Sequence, residues 1–144
     1  MKKHINGIFF VVTLLLIPII VYAADGGSIS NFSLSSGGTK RSSKYNFTGN
    51  NHYVSYGVDN LKDSSKTQKV VIAAYKNSNT GTNYAVRKTV NAAYHTQVYA
   101  NMGEVGKGYY TYGFGAYQNA FTSSSSTGTV YAGFESEIVT FYSI

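Results

Sequence analysis

Along several runs of this sequence aromatic and β-branched side chains recur at every second position, and that spacing admits paired strands and little else. Successive strand residues point to opposite faces, so a two-residue repeat makes one face apolar and leaves the other free to be polar. Val54, Tyr56 and Val58 alternate with Tyr53, Ser55 and Gly57; Tyr84, Val86 and Val90 alternate with Arg87, Thr89 and Asn91. Farther on, Tyr110, Tyr112, Phe114 and Ala116 alternate with Tyr109, Thr111, Gly113, Gly115 and Tyr117. Composition supports the pattern: beyond residue 23 the chain has thirteen Tyr, six Phe, no Pro and no Trp, and its only leucines are Leu34 and Leu61. Aromatic and β-branched residues suit a pleated, half-buried surface.

Seven runs carry this signal: residues 29–34, 53–58, 69–75, 84–92, 94–100, 108–117 and 129–142. The expected fold is therefore all-β, a small antiparallel β-sandwich of about seven strands. The run 69–75 is apolar in both phases, which marks a central strand, and the turn-rich Asn77 to Asn83 joins it to 84–92 as a hairpin with a longer loop. In the last run Val130, Ala132, Phe134 and Ile138 are expected inside and Glu135 and Glu137 outside. Val139 and Phe141 then continue the apolar face in the opposite phase, so a bulge or sheet switch is expected near Glu137. A membrane-spanning barrel needs about eight strands of 9–11 residues, and several runs here are too short.

Residues 1–23 have the three parts of a cleavable signal peptide: Lys2 and Lys3 at the start, an apolar run from Ile8 to Val21, and small residues at Val21 and Ala23 before the expected cut. The expected organisation is a leader over 1–23 and a single sandwich domain over 24–144, secreted to the extracellular side. There is no cysteine, so the exported domain rests on packing alone, which fits a bacterial surface protein better than an animal secreted module. The layout is similar to that of small exported β-proteins of Gram-positive bacteria, which implies export and leaves function open.

Beyond residue 23, ten Lys and Arg stand against six Asp and Glu, a net charge of +4. Lys40, Arg41 and Lys44 form the one basic cluster, in a Gly/Ser-rich stretch expected to be a loop. This implies weak attraction to an anionic membrane or wall surface, and it lacks the organised stripe that nucleic acid requires.

Catalytic constellations fail one by one. Gly103-Glu-Val-Gly106-Lys107-Gly108 has neither the first glycine nor the following Ser or Thr of a phosphate-binding loop, and it precedes a strand; it reads as a turn. Glu135 and Glu137 share a strand face but nothing sets their environments apart, so cross-strand pairing with a cation is the simpler role. His52 and His95 are too few for a metal site, and no Gly-x-Ser-x-Gly elbow exists. No catalytic residue, metal or cofactor is expected.

Tyrosine is the informative excess, because its ring serves cores, interfaces and sugar-stacking platforms alike. If the 109–117 phase is exposed, Tyr109 and Tyr117 flank a flat strip over Thr111, Gly113 and Gly115, able to take a glycan or extended peptide. Tyr109, Thr111 and Tyr117 are thus the candidate ligand-binding residues. The function expected is a non-enzymatic binding or cell-surface module, with a cell-wall glycan, host glycan or protein as partner. A cationic membrane-active toxin is the alternative, and a hydrolase the least supported third.

Overall fold

The computed structural model describes residues 25–144; the expected leader lies outside the described residues. Ten strands occur: β1 (Gly27–Leu34), β2 (Thr39–Arg41), β3 (Tyr45–Phe47), β4 (Asn51–Gly57), β5 (Asn60–Leu61), β6 (Lys69–Lys76), β7 (Val86–Asn91), β8 (Gln97–Glu104), β9 (Gly108–Gly115) and β10 (Phe134–Ser143). They form two antiparallel sheets. Sheet A has the order β1-β10-β4-β8 with β5 also on β10, and sheet B the order β2-β9-β6-β7 with β3 also on β9. β2 with β3, and β4 with β5, are each one interrupted strand along a common neighbour. Joined in this way, the pairs β1·β10, β2–β3·β9, β4·β8 and β6·β7 nest inside one another, the winding of a jelly-roll sandwich.

The seven expected runs are all present as strands, and β2, β3 and β5 are additional. Lys40 and Arg41 therefore sit on an edge strand and not in a loop: residues 39–41 find backbone partners on Thr39↔Gly115, Lys40↔Phe114 and Arg41↔Gly113. The run expected at 94–100 moves toward the C-terminus, because His95 takes a left-handed φ of 57° within the turn, and β8 continues past Asn101 to bury Met102.

Between the sheets lies an aromatic core. Phe32, Tyr56, Phe134 and Phe141 of sheet A meet Tyr112 and Phe114 of sheet B, all at most 1% exposed. Phe32 packs edge-on to Phe114 with centroids 4.9 Å apart, and Tyr56 stacks on Phe134 at 5.2 Å. Each such pair contributes about 0.5–1.5 kcal/mol beyond area burial.

The phase change near Glu137 is real and shared by two strands. Asn31 on β1 has φ 52°, and Ser30 and Asn31 both face outward before Phe32 turns in. Opposite them Glu137 and Ile138 both face outward before Val139 turns in. On the other side β4 and β5 are interrupted here, and Asp59 Oδ2 accepts the Glu137 N–H at 2.9 Å, replacing the missing ladder carbonyl. β10 stays in sheet A throughout. This corrects two expected core positions: Ile138 is 48% exposed because it follows the kink, and Val130 is 42% exposed because it lies outside any strand, bridged to Tyr117.

His52 is a core residue of β4, stacked on Phe47 at 4.1 Å. Its Nε2 lies 2.8 Å from the Gly106 carbonyl and its Nδ1 2.7 Å from the Tyr112 hydroxyl. A carbonyl can only accept, so Nε2 carries the proton and Nδ1 of the neutral ring accepts from Tyr112. Burial lowers the His52 pKa below 6.5, against the opposing pull of the Gly106 carbonyl and the Asp25 charge. Unfolding then takes up a proton between the depressed folded value and 6.5, so stability is full above that window and falls as pH drops through it. The urea midpoint is expected to decline on acidification from pH ~7 through this window, and His52→Gln, which stays neutral, flattens that slope.

Candidate functional site

The centre of sheet B's outer face is covered. β6 is buried on both sides, with Val70, Ile72 and Ala74 inward and Val71, Ala73 and Tyr75 outward, all 0% exposed. The outward set is covered by the segment between β9 and β10 and, over Tyr75, also by Arg41 and the 77–83 turn, whose Gly81 carbonyl accepts from the Tyr75 hydroxyl. Ala120 and Phe121 fold over Gly113 and Gly115, so that a Cβ on Gly115 would fall 2.3 Å from the Ala120 Cβ and one on Gly113 2.9 Å from the Phe121 ring. Phe121 adopts φ 67°, a conformation costing a bulky residue ~1–3 kcal/mol. Its ring meets Tyr75 edge-on at 5.9 Å. Arg87 fastens the roof by donating from Nε to the Ala120 carbonyl (2.8 Å) and from Nη2 to the Gln118 carbonyl (2.6 Å).

The three residues predicted as a strip are therefore separated. Tyr109 is 53% exposed at one end of β9. Thr111 is buried, its hydroxyl donating to the Asn77 carbonyl at 2.6 Å. Tyr117 lies half-buried at the other end, bridged to Val130 and packed against the core. The alternation places all three on the outer face of sheet B, and the roof closes the flat floor between them.

Sheet A presents the opposite situation. Strand pairing brings Ser28, Thr140, Ser55 and Tyr99 into one row across β1, β10, β4 and β8. The next row toward the C-terminal end of β10 holds Tyr142, Tyr53 and Asn101. On the other side are Ser30, Ile138 and Gln97. Every one of these side chains is exposed or half-exposed, and none is charged. Tyr99 is 72% exposed, while Tyr53 and Tyr142 stack with centroids 5.1 Å apart and planes 13° from parallel. Gln97 Nε2 donates to Ser55 Oγ at 3.2 Å, fixing the orientation of that amide.

Two shallow depressions follow β10 across this face and share Ile138: one of about 380 Å³ beside Ser28, Thr140 and Tyr142 with Asp25 at its end, and one of about 150 Å³ beside Gly57 and Gln97 with Asp59 and Glu137 at its edge. A third, of about 370 Å³, continues past the kink between Asn31, Asp59, Glu135 and Glu137. Glu135 there is held by Lys62, whose Nζ donates at 2.6 Å; that hydrogen bond keeps its carboxylate pKa below the usual value. The pairing expected across the sheet is thus made, by Lys62 from beyond β5. At the far end Asp25 accepts from the Thr48 and Ser143 amides at 2.7 and 2.6 Å. Burial alone would raise the Asp25 pKa; these hydrogen bonds outweigh it and hold it below 3.8.

The arrangement offers flat rings, hydroxyls and amides in register, and the hydroxyl–carboxylate contact at its end, Ser143 Oγ to Asp25 at 2.8 Å, has no histidine beside it among the described hydrogen bonds. Among the described residues no group of three His, Cys, Asp or Glu is placed to hold a metal ion.

No protein-family model matches the chain, and no curated protein matches it. Among solved structures, a structure of TmCBM61 in complex with beta-1,4-galactotriose is similar at 11% identity, covering 79% of this chain and 69% of that one with a TM-score of 0.37. A likeness that distant carries no argument about ligand.

The two outer faces respond differently to an added methyl group. Gly115→Ala, forced against Ala120, is expected to cost about 1–3 kcal/mol in urea unfolding. Gly57→Ala on sheet A, where the nearest atoms stand at 3.4 and 3.6 Å, is expected to change stability by under ~1 kcal/mol.

Proposed function

We propose that this chain is an exported, non-catalytic binding module that holds a neutral, hydroxyl-rich polymer, a glycan chain, on the outer face of sheet A. The observation that carries this reading is that the central rows of this face carry no charge and, among the described residues, expose Tyr99 and the Tyr53–Tyr142 stack. Sugar rings offer an apolar C–H face bordered by hydroxyls, and this surface offers the complement: ring faces for stacking, with Ser, Thr, Asn and Gln beside them for hydrogen bonding. A charged ligand would meet no counter-charge in the central rows. The leader pattern over residues 1–23 supports export, where wall and host glycans are found. A flat site preformed on strands loses little freedom on binding, which favours weak, reversible attachment to a repeating polymer.

Affinity electrophoresis against a panel of neutral polysaccharides tests the proposal. The protein should be retarded by at least one of them. Tyr99→Ala and Tyr53→Ala should each weaken retardation by about fivefold or more, equivalent to ~1 kcal/mol per ring. Tyr109→Ala, on the other sheet, should leave it unchanged. Loss of binding on Tyr109→Ala with none on Tyr99→Ala would place the site on sheet B and refute the assignment.

A further inference from the structure

Charge in this domain is sorted between the two sheets. Of the six acidic residues, Asp25, Asp59, Glu104, Glu135 and Glu137 belong to sheet A or its turns, and Asp63 lies just past β5, paired with Lys66 at 2.8 Å. Of the ten basic residues among those described, Lys62 and Lys66 are taken up by Glu135 and Asp63. The other eight, Lys40 to Lys107, lie on the strands of sheet B or next to their ends, although Lys40 reaches over the Phe32 ring of sheet A, Lys88 donates to the Asn101 carbonyl of β8, and Glu104 closes β8 near Lys107. The net positive charge of the described residues is thus carried mainly by sheet B and the ends of its strands.

We infer that the sheet B side docks on an anionic lipid bilayer and so turns the outer face of sheet A toward solution. The contact would centre on the end of sheet B that carries Tyr109. Lys44 Nζ stands 5.7 Å from the Tyr109 ring, Lys76 pairs with Tyr110 at the end of β6, and Lys107 immediately precedes β9. Arg41 lies flat on Tyr75 at 4.1 Å and donates to the Asn79 carbonyl, which holds the 77–83 turn beside them. A half-exposed tyrosine among cations suits the headgroup region, where its ring and hydroxyl are each accommodated.

A planar partner fits better than a threaded polymer. The uncharged roof of Ala120 and Phe121 covers Gly113 and Gly115 on the middle of the sheet, and cations lie at both ends of β6, Lys69 and Lys76, about 23 Å apart at strand rise. A single anionic chain needs a continuous basic groove, whereas a charged plane attracts the summed field. This inference stands apart from the glycan reading, since it uses the other sheet.

Residues 25–144 contain both sheets and their core, so the segment beginning at Ala24 is the material for the test, its β spectrum and urea midpoint checked first. It is expected to co-sediment with phosphatidylcholine vesicles containing phosphatidylglycerol, to leave pure phosphatidylcholine vesicles unbound, and to be released by salt. Each lysine near an anionic bilayer is worth about fivefold in binding, so Lys44→Gln, Lys76→Gln and Lys107→Gln together should weaken it about a hundredfold with the urea midpoint unchanged. Glu135→Gln, on sheet A, should not weaken it. Equal binding to both vesicle types, parental affinity in the triple variant, or tighter binding to soluble inorganic polyphosphate than to the vesicles would overturn the inference.

Discussion

The pairing of β6 with β9, buried on both faces, is the constraint from which the rest of this architecture follows. A strand whose two phases are both apolar needs cover on both sides. The inner side is met by sheet A, and the outer side is met by Arg41 over Tyr75 and by Ala120 and Phe121, which Gly113 and Gly115 let approach the sheet backbone. The strained φ of Phe121 and the two carbonyl contacts of Arg87 belong to the same device. With the centre of sheet B covered in this way, the three-tyrosine surface of Tyr53, Tyr99 and Tyr142 among the described residues lies on sheet A.

Much of this was legible in the alternation. Val54-Tyr56-Val58 and Tyr110-Tyr112-Phe114-Ala116 are the inward rows they appear to be in sequence, and the doubled apolar phase of 69–75 is a buried central strand. The short pieces β2, β3 and β5 were not legible, because backbone pairing with β9 and β10 holds them and their side chains carry no clear period. Glycine was ambiguous too. Gly113 and Gly115 mark a close approach, as strand glycines often do, but their spacing is the same whether a ligand or the chain itself approaches. The sheet A face was illegible for a different reason: Tyr53, Tyr99 and Tyr142 lie on three strands distant in sequence, each a lone outward ring. Only the register of β4 with β8 and β10 gathers them.

Electrostatics follows the same division. The buried His52–Tyr112 contact joins the two sheets through neutral groups, and the carboxylates of sheet A sit at the margins of its uncharged centre, with Asp25 and Glu135 held by hydrogen bonds. The cations collect on and around the roofed sheet. Both proposed contacts rest on this division, within a chain that has no cysteine to staple it.

Residue-resolved tyrosine modification of the folded protein tests the central claim, that sheet B is roofed and sheet A is open, most directly. Tyr99 and Tyr75 both point outward, from sheet A and sheet B respectively, and differ in exposure, 72% against 0%. The account predicts rapid nitration of Tyr99 and protection of Tyr75 until the protein unfolds. Modification of Tyr75 at a rate comparable to Tyr99 would contradict it.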